Sequence, residues 1–297
     1  MDAQKHHHLI IDIVIGILII IILLLIDLFV VSFRSLSGEV REEALGKGGE
    51  GIEGEEGGEV ITDVDKIQSG EYVFIPIFNF HHIKEAPPEA DEITMSYYVS
   101  PARFEEIVKS LVDNGYQTVF VSEIVNMLQA GDKPKDKIMA ITFDDGNLDY
   151  YTNARPILQK YNLKSSLYIM TGVRGEDFLS QDQIVELDKS GEVEIGSHTV
   201  YHPFLTKIST EEMDKELAGS KKQLEDLLGK EITVICYPFG FYDENVINAA
   251  QTAGYQAGLT FDQDAWQNSQ ELMALKRISV YPEMNVVKFL ERLEKEK

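Results

Sequence analysis

The sequence contains a single cysteine, Cys236, and a single tryptophan, Trp266. One thiol excludes an internal disulfide framework and a zinc site built from several cysteines. It leaves the compartment open, because extracellular domains can do without disulfides. Basic residues are scarce as well: 27 Lys and Arg stand against 50 Asp and Glu, a formal charge of -23. A phosphate backbone requires a basic footprint, so nucleic acid is excluded as a partner. The same acidity suits a cationic polymer, and ordinary solubility accounts for it equally well. No internal repeat is visible.

What is present begins with an apolar run from Leu9 to Val31, broken only by Asp12, Gly16 and Asp27. At about 1.5 Å per residue such a helix reaches about 34 Å, enough to cross a hydrocarbon core of about 30 Å. The run exceeds the apolar stretch of a secretory signal, and no small-x-small cleavage site follows it. The expectation is therefore a short tail (1–8) and an uncleaved single-pass anchor (9–31), with the aspartates near its ends where charge is cheapest. Lys5 on one side and Arg34 and Arg41 on the other leave its orientation open. His6, His7 and His8 before the anchor read as incidental. Residues 32–69, rich in Gly and Glu, have too few apolar side chains to repay ordering and read as a flexible tether.

From residue 70 to residue 297 short apolar runs alternate with amphipathic helices, in a length sufficient for one large α/β domain. Strands are predicted at Tyr72–Phe78, Thr118–Val121, Ile138–Phe143, Ser166–Met170, Val193–Ile195, Thr233–Cys236, Ala257–Thr260 and Leu275–Val280. Ser100 and Pro101 mark a helix start, and Ser209 with Glu212 forms a capping box at another. Strand–helix alternation implies parallel βα units, and seven or eight of them suggest a closed or nearly closed barrel.

In such folds chemistry gathers at the C-terminal ends of the strands. Asp144 and Asp145 end one strand, His198 another, Tyr237-Pro238-Phe239-Gly240 a third and His81-His82 the first. Adjacent carboxylates at a covered strand end raise each other's pKa, and a bound cation would relieve that cost. Consecutive strand side chains point to opposite faces, so both acids reach one site only if the backbone turns, which Gly146 permits. A plain Asp-Gly turn is the bland alternative. His198 and His202, four apart between Gly196 and Pro203, lie on a loop or single turn. Two histidines plus Asp145 make a recurrent set for a catalytic divalent metal, with Asp144 free for proton chemistry. His81 and His82 could be satisfied core residues, or general acids at the mouth of such a site.

Thr142–Gly146 (TFDDG), Ser197–Pro203 (SHTVYHP) and Tyr237–Gly240 (YPFG), in that order, resemble the polysaccharide deacetylase family (NodB homology, carbohydrate esterase family 4). The likeness covers about residues 72–290. Ile75–Ile83 (IPIFNFHHI) looks like the opening of the branch that includes extracytoplasmic deacetylases of β-1,6-linked poly-N-acetylglucosamine. The resemblance implies a distorted, often incomplete (β/α) barrel, and removal of N-acetyl groups from an N-acetylglucosamine polysaccharide, chitin-like chain or peptidoglycan. It implies a divalent metal, usually zinc, on Asp145, His198 and His202. Asp144 would take a proton from metal-bound water, and the metal with the Phe239 N–H, beside Tyr237, would hold the oxyanion. His81, charged, would protonate the departing amine, with His82 second. Such a substrate places the domain outside the cytoplasm.

Three positions depart from the family pattern. Cys236 stands where an arginine is common, so Asp144 must be oriented from elsewhere, and Arg277 is the candidate. Arg277 also occupies the place of a late motif histidine, which matches the branch it resembles, where the general-acid histidine lies near the start of the domain as His81 does. The Asp–Trp motif is only echoed by Asp262–Trp266; Trp266 could stack on a sugar or simply pack. The alternatives are a metal-dependent deacylase of another substrate, such as acetylxylan, and a catalytically silent glycan-binding protein. Protein partners cannot be read from the residues.

Overall fold

Parallel strands joined by helices dominate the computed structural model, which describes residue 67 and residues 70–295. The expected tail, anchor and all of the tether except residue 67 lie outside the described residues. Among those described, no helix is long and apolar enough to cross a membrane.

The strands are β1 (Tyr72–Phe74), β2 (Ile77–Phe80), β3 (Gln117–Thr118), β4 (Ile138–Phe143), β5 (Ser165–Ile169), β6 (Val193–Ser197), β7 (Val234–Cys236), β8 (Ala257–Leu259), β9 (Trp266–Asn268) and β10 (Ile278–Ser279). Seven of them form one curled parallel sheet in the order β10-β2-β4-β5-β6-β7-β8, with β3 paired to β4 off that path. The two ends of the path are tied by a single parallel bridge, Leu259 to Leu275. Leu275 N–H donates to the Gly258 carbonyl at 2.8 Å, and Thr260 N–H to the Leu275 carbonyl at 3.0 Å. The result is the incomplete α/β barrel.

Alternation along β2 and β4 sorts side chains into two layers. Phe78, Phe80, Ile141 and Phe143 face outward under the helices, in one core with Phe104, Ile107 and Leu111 of the helix Pro101–Asp113. That helix opens as the sequence indicates, Ser100 Oγ accepting from the Arg103 N–H. The helix Thr210–Leu228 likewise carries the Ser209–Glu212 capping box and buries Met213, Leu217 and Leu224.

Several predicted strands are shorter than expected. Tyr72–Phe78 is two strands: β1 pairs antiparallel with β9, which the sequence reading did not identify, and β2 enters the barrel. Pro76, with no N–H, marks the change of partner: Ile75 donates to Ala265 and Pro76 accepts from Ala140. Thr118–Val121 contracts because Val121 opens a helix, the Glu123 carboxylate accepting from the Phe120 N–H at 2.7 Å. Leu275–Val280 shortens to β10 because Leu275 spends its backbone groups on the closing bridge.

Candidate active site

Four strand ends deliver the candidate residues. Asp144 continues the β4 ladder, its N–H donating to the Phe80 carbonyl at 3.1 Å. The chain then turns, with Asp145 at φ 72° and Gly146 at φ 79°. A left-handed Asp145 throws its side chain out of the strand alternation, which is how two consecutive acids reach one site. A Cβ at Gly146 would meet Ile169 Cδ1 at 3.0 Å. Thr199 (φ 65°), His202 (φ 58°) and Phe239 (φ 59°) are left-handed too. Four of the five non-glycine residues in that region among those described therefore cluster here, as strained backbone does at functional sites.

Asp144 is fully buried, and Arg277 grips it with two bonds: Nη1 to Oδ1 at 2.8 Å and Nη2 to Oδ2 at 2.9 Å. The guanidinium also donates from Nε to the Thr260 carbonyl (2.9 Å) and from Nη1 to Thr142 Oγ1 and Asn79 Oδ1 (3.2 Å each). Its Nη2 meets Cys236 Sγ at 3.0 Å. The guanidinium therefore enters from just before β10 and lies against the residue that stands in place of the common arginine. Burial pushes the Asp144 carboxyl up, but Arg277 outweighs it and holds the acid below the usual carboxylate range. Burial pushes the Cys236 thiol well up, so it stays protonated.

Asp145, His198 and His202 converge beside this pair. Asp145 Oδ1 lies 3.5 Å from His198 Nε2 and 3.9 Å from His202 Nε2. His198 Nδ1 donates to the Cys236 carbonyl at 2.8 Å, which fixes the tautomer and leaves Nε2 as a bare acceptor. That Nε2 is buried and has no hydrogen-bond partner. Burial lowers His198 to about 3, and burial with the nearby Asp144 raises Asp145 to about 7. An orphaned imidazole nitrogen facing a carboxylate and a second imidazole is a donor set that fits a divalent cation. A second grouping, Asp144 with His198 and Cys236, already holds the Arg277 charge and a protonated thiol, so it fits none.

His81 forms the opposite wall, its Nε2 3.9 Å from Asp144 Oδ2 and its ring clamped edge-on by Tyr97 and Phe261. Burial lowers its pKa to about 4, against the pull of Asp144, which favours the charged ring. Phe239 stacks on Phe204 at 3.9 Å and meets His202 edge-on at 4.4 Å. A cavity of about 310 Å³ joins these groups, lined by His81, His82, Asp145, His202, Phe239 and Phe261 among others.

Two candidates lie elsewhere. Tyr237 is buried, its hydroxyl donating to the Met273 carbonyl and its N–H to the Leu259 carbonyl, so it packs the barrel and does not face the cavity. Strand alternation explains this, since Tyr237 and the cavity groups fall on different faces. Trp266 sits on the β1–β9 ribbon, edge-on to Phe74, with Nε1 donating to the Leu293 carbonyl, and lines neither cavity that includes His81. Sequence reasoning missed Asp149, whose carboxylate holds His82 Nδ1 at 2.8 Å. A third acid just beyond Asp145-Gly146 was the available signal.

Residues 131–258 match the profile described as polysaccharide deacetylase. YxkH, a candidate polysaccharide deacetylase of Bacillus subtilis (strain 168), is 34% identical over 212 residues, 71% of this chain and 73% of that protein. A poly-beta-1,6-N-acetyl-D-glucosamine N-deacetylase of Staphylococcus aureus (strain MSSA476) is 29% identical over 186 residues, 57% of this chain. The match spans 63% of that relative's length. Among solved structures, the Streptococcus pyogenes deacetylase PplD in complex with acetate superposes with a TM-score of 0.68 at 27% identity. It covers 76% of this chain and 99% of that one.

Proposed function

Because the chain belongs to the polysaccharide deacetylase family, we propose that it hydrolyses N-acetyl groups of an N-acetylglucosamine polysaccharide, releasing acetate and leaving glucosamine units. The observation that carries this reading is the orphaned, buried His198 Nε2 facing Asp145 and His202, directly beside the Asp144–Arg277 pair. The S. aureus relative, named for poly-β-1,6-N-acetyl-D-glucosamine, favours that linkage.

Asp145, His198 and His202 would hold a divalent cation, zinc by the chemistry of two imidazoles and one carboxylate. Such a cation supplies a Lewis acid for the acetamide carbonyl and makes water more acidic. The chain's own residues do the rest. Arg277 keeps Asp144 ionised and fixes both of its oxygens, so the carboxylate is preset to accept a proton from the attacking water. The Phe239 N–H, on the cavity wall, would donate to the carbonyl oxygen as negative charge builds on it. The proton that Asp144 takes from the water passes to His81, whose Nε2 lies 3.9 Å from Asp144 Oδ2, and from there to the departing amine; nearby Asp144 favours the charged form of the ring. Phe261 and Tyr97 hold the ring for that transfer.

We further infer that Leu9–Val31 anchors the chain in a membrane and that residues 70–297 form the catalytic domain outside the cytoplasm. The apolar run and the extracellular nature of such polymers support this.

His198→Ala is expected to lose both bound metal and acetate release, because the buried acceptor has no substitute nearby. Metal analysis of the purified variant beside a mass-spectrometric panel of β-1,4 and β-1,6 N-acetylglucosamine oligomers, peptidoglycan fragments and acetylxylan tests it. Metal retained at full stoichiometry would remove His198 from the ligand set; acetate released from acetylxylan alone would replace the proposed substrate. Trp266→Phe is expected to leave KM for the preferred oligomer unchanged. It should cost about 1 kcal/mol of stability for the lost Nε1 hydrogen bond, read by urea unfolding. A rise in KM would return Trp266 to the substrate.

A further inference from the structure

His82 is used by nothing so far. Its backbone pairs with the segment around Tyr98, N–H to the Tyr97 carbonyl and carbonyl to the Val99 N–H. Its ring lies almost flat on Tyr98, centroids 4.3 Å apart at 20°. Nδ1 is 2.8 Å from Asp149 Oδ2. Asp149 is itself 6% exposed and anchored from three directions: Ile83 N–H to Oδ1 at 2.7 Å, Lys84 Nζ to Oδ2 at 3.2 Å, and His82. Burial would raise its carboxyl, but the hydrogen bonds from His82 and the Ile83 N–H outweigh this and keep it ionised. Asp149 can only accept, so His82 Nδ1 carries the proton.

This leaves Nε2 as the one uncommitted polar atom of a ring locked in position and tautomer, on the wall of the cavity it shares with Asp145 and His202. A surface histidine with no task would not need a buried carboxylate behind it. The remainder of that wall is mostly aromatic: Tyr97, Tyr98 and Phe261. Aromatic faces with a few fixed polar atoms suit a pyranose ring, whose CH faces are apolar and whose hydroxyls lie at its edge.

We propose that His82, positioned by Asp149, is a specificity residue that hydrogen-bonds through Nε2 to a ring hydroxyl of the sugar unit being deacetylated. The inference rests on the deacetylase reading and adds to it: the site reads a hydroxyl as well as the acetamide. Selection by a fixed polar partner is strong, because an analogue lacking the hydroxyl leaves the protein's own group unpaired.

The test is acetate release by the full-length chain from an N-acetylglucosamine trisaccharide and from its 3-, 4- and 6-deoxy analogues. Wild type is expected to lose at least about tenfold in kcat/KM on one analogue. His82→Ala should process that analogue and the parent at equal kcat/KM, while its discrimination against the other analogues stays as in wild type. Asp149→Asn should shrink the same ratio while keeping the ring. A ratio of two substrates on one sample cancels any loss of folded protein, so partial misfolding of either variant does not mimic the result. Discrimination unchanged in both variants overturns the proposal alone. Absence of acetate release by wild type from the parent overturns the deacetylase reading, and this inference with it.

Discussion

Asp144→Asn is expected to lower acetate release by about a thousandfold while the protein still binds its full complement of metal. The substitution removes the one carboxylate that is both ionised and adjacent to the cation set, and leaves Asp145, His198 and His202 in place. It has a second, separable consequence. Arg277 loses the negative charge that compensates it in a fully buried position, and removing one partner of a buried pair costs about 3–5 kcal/mol. Urea unfolding should register that loss even in protein that retains metal. Metal analysis, acetate release and unfolding on one preparation separate the two effects. Loss of metal together with activity would make Asp144 a ligand.

Arg277→Met is expected to be as damaging by the opposite route. Asp144 then stays buried without the two guanidinium bonds that offset its burial, so its pKa rises from the depressed value and the carboxylate is no longer held in place. The stability loss should again be about 3–5 kcal/mol, and turnover should fall by about a hundredfold or more. Arg277→Lys should rescue little, because a single ammonium cannot reproduce the two parallel bonds to Oδ1 and Oδ2 together with the bond to the Thr260 carbonyl. Wild-type turnover by the lysine variant would mean that charge alone, and not the fork, sets Asp144.

The pattern of apolar runs and caps was enough to read an α/β barrel and to put Asp144, Asp145, His198, His81 and Phe239 at strand ends. Both are properties of short stretches of chain. What escaped depended on distant partners or on the sign of φ. Asp145, Thr199, His202 and Phe239 have left-handed backbone without being glycine, a choice enforced by surrounding structure that leaves no mark on residue type. The sequence offers Arg277 as the partner of Asp144, 133 residues away, and only the two-bond fork needs β10 seen beside β2. Tyr237 lies within a motif, yet its side chain belongs to the core between the sheet and the helices while Phe239, two residues on, belongs to the mouth. Trp266 attracted notice as the sole tryptophan, but its strand pairs with β1 rather than with the barrel. The split of Tyr72–Phe78 has the same origin, since β1 and β2 take different partners.

The central claim is that a divalent cation on Asp145, His198 and His202 supports removal of acetyl groups from N-acetylglucosamine chains. Its most direct test measures acetate and newly exposed amine together, from a β-1,6-linked N-acetylglucosamine oligomer, before chelation, after chelation and after zinc is restored. The expected result is equal amounts of acetate and amine, lost on chelation and recovered with zinc. Undiminished release from metal-stripped protein, or no release from any N-acetylglucosamine oligomer by the metal-loaded chain, would contradict it.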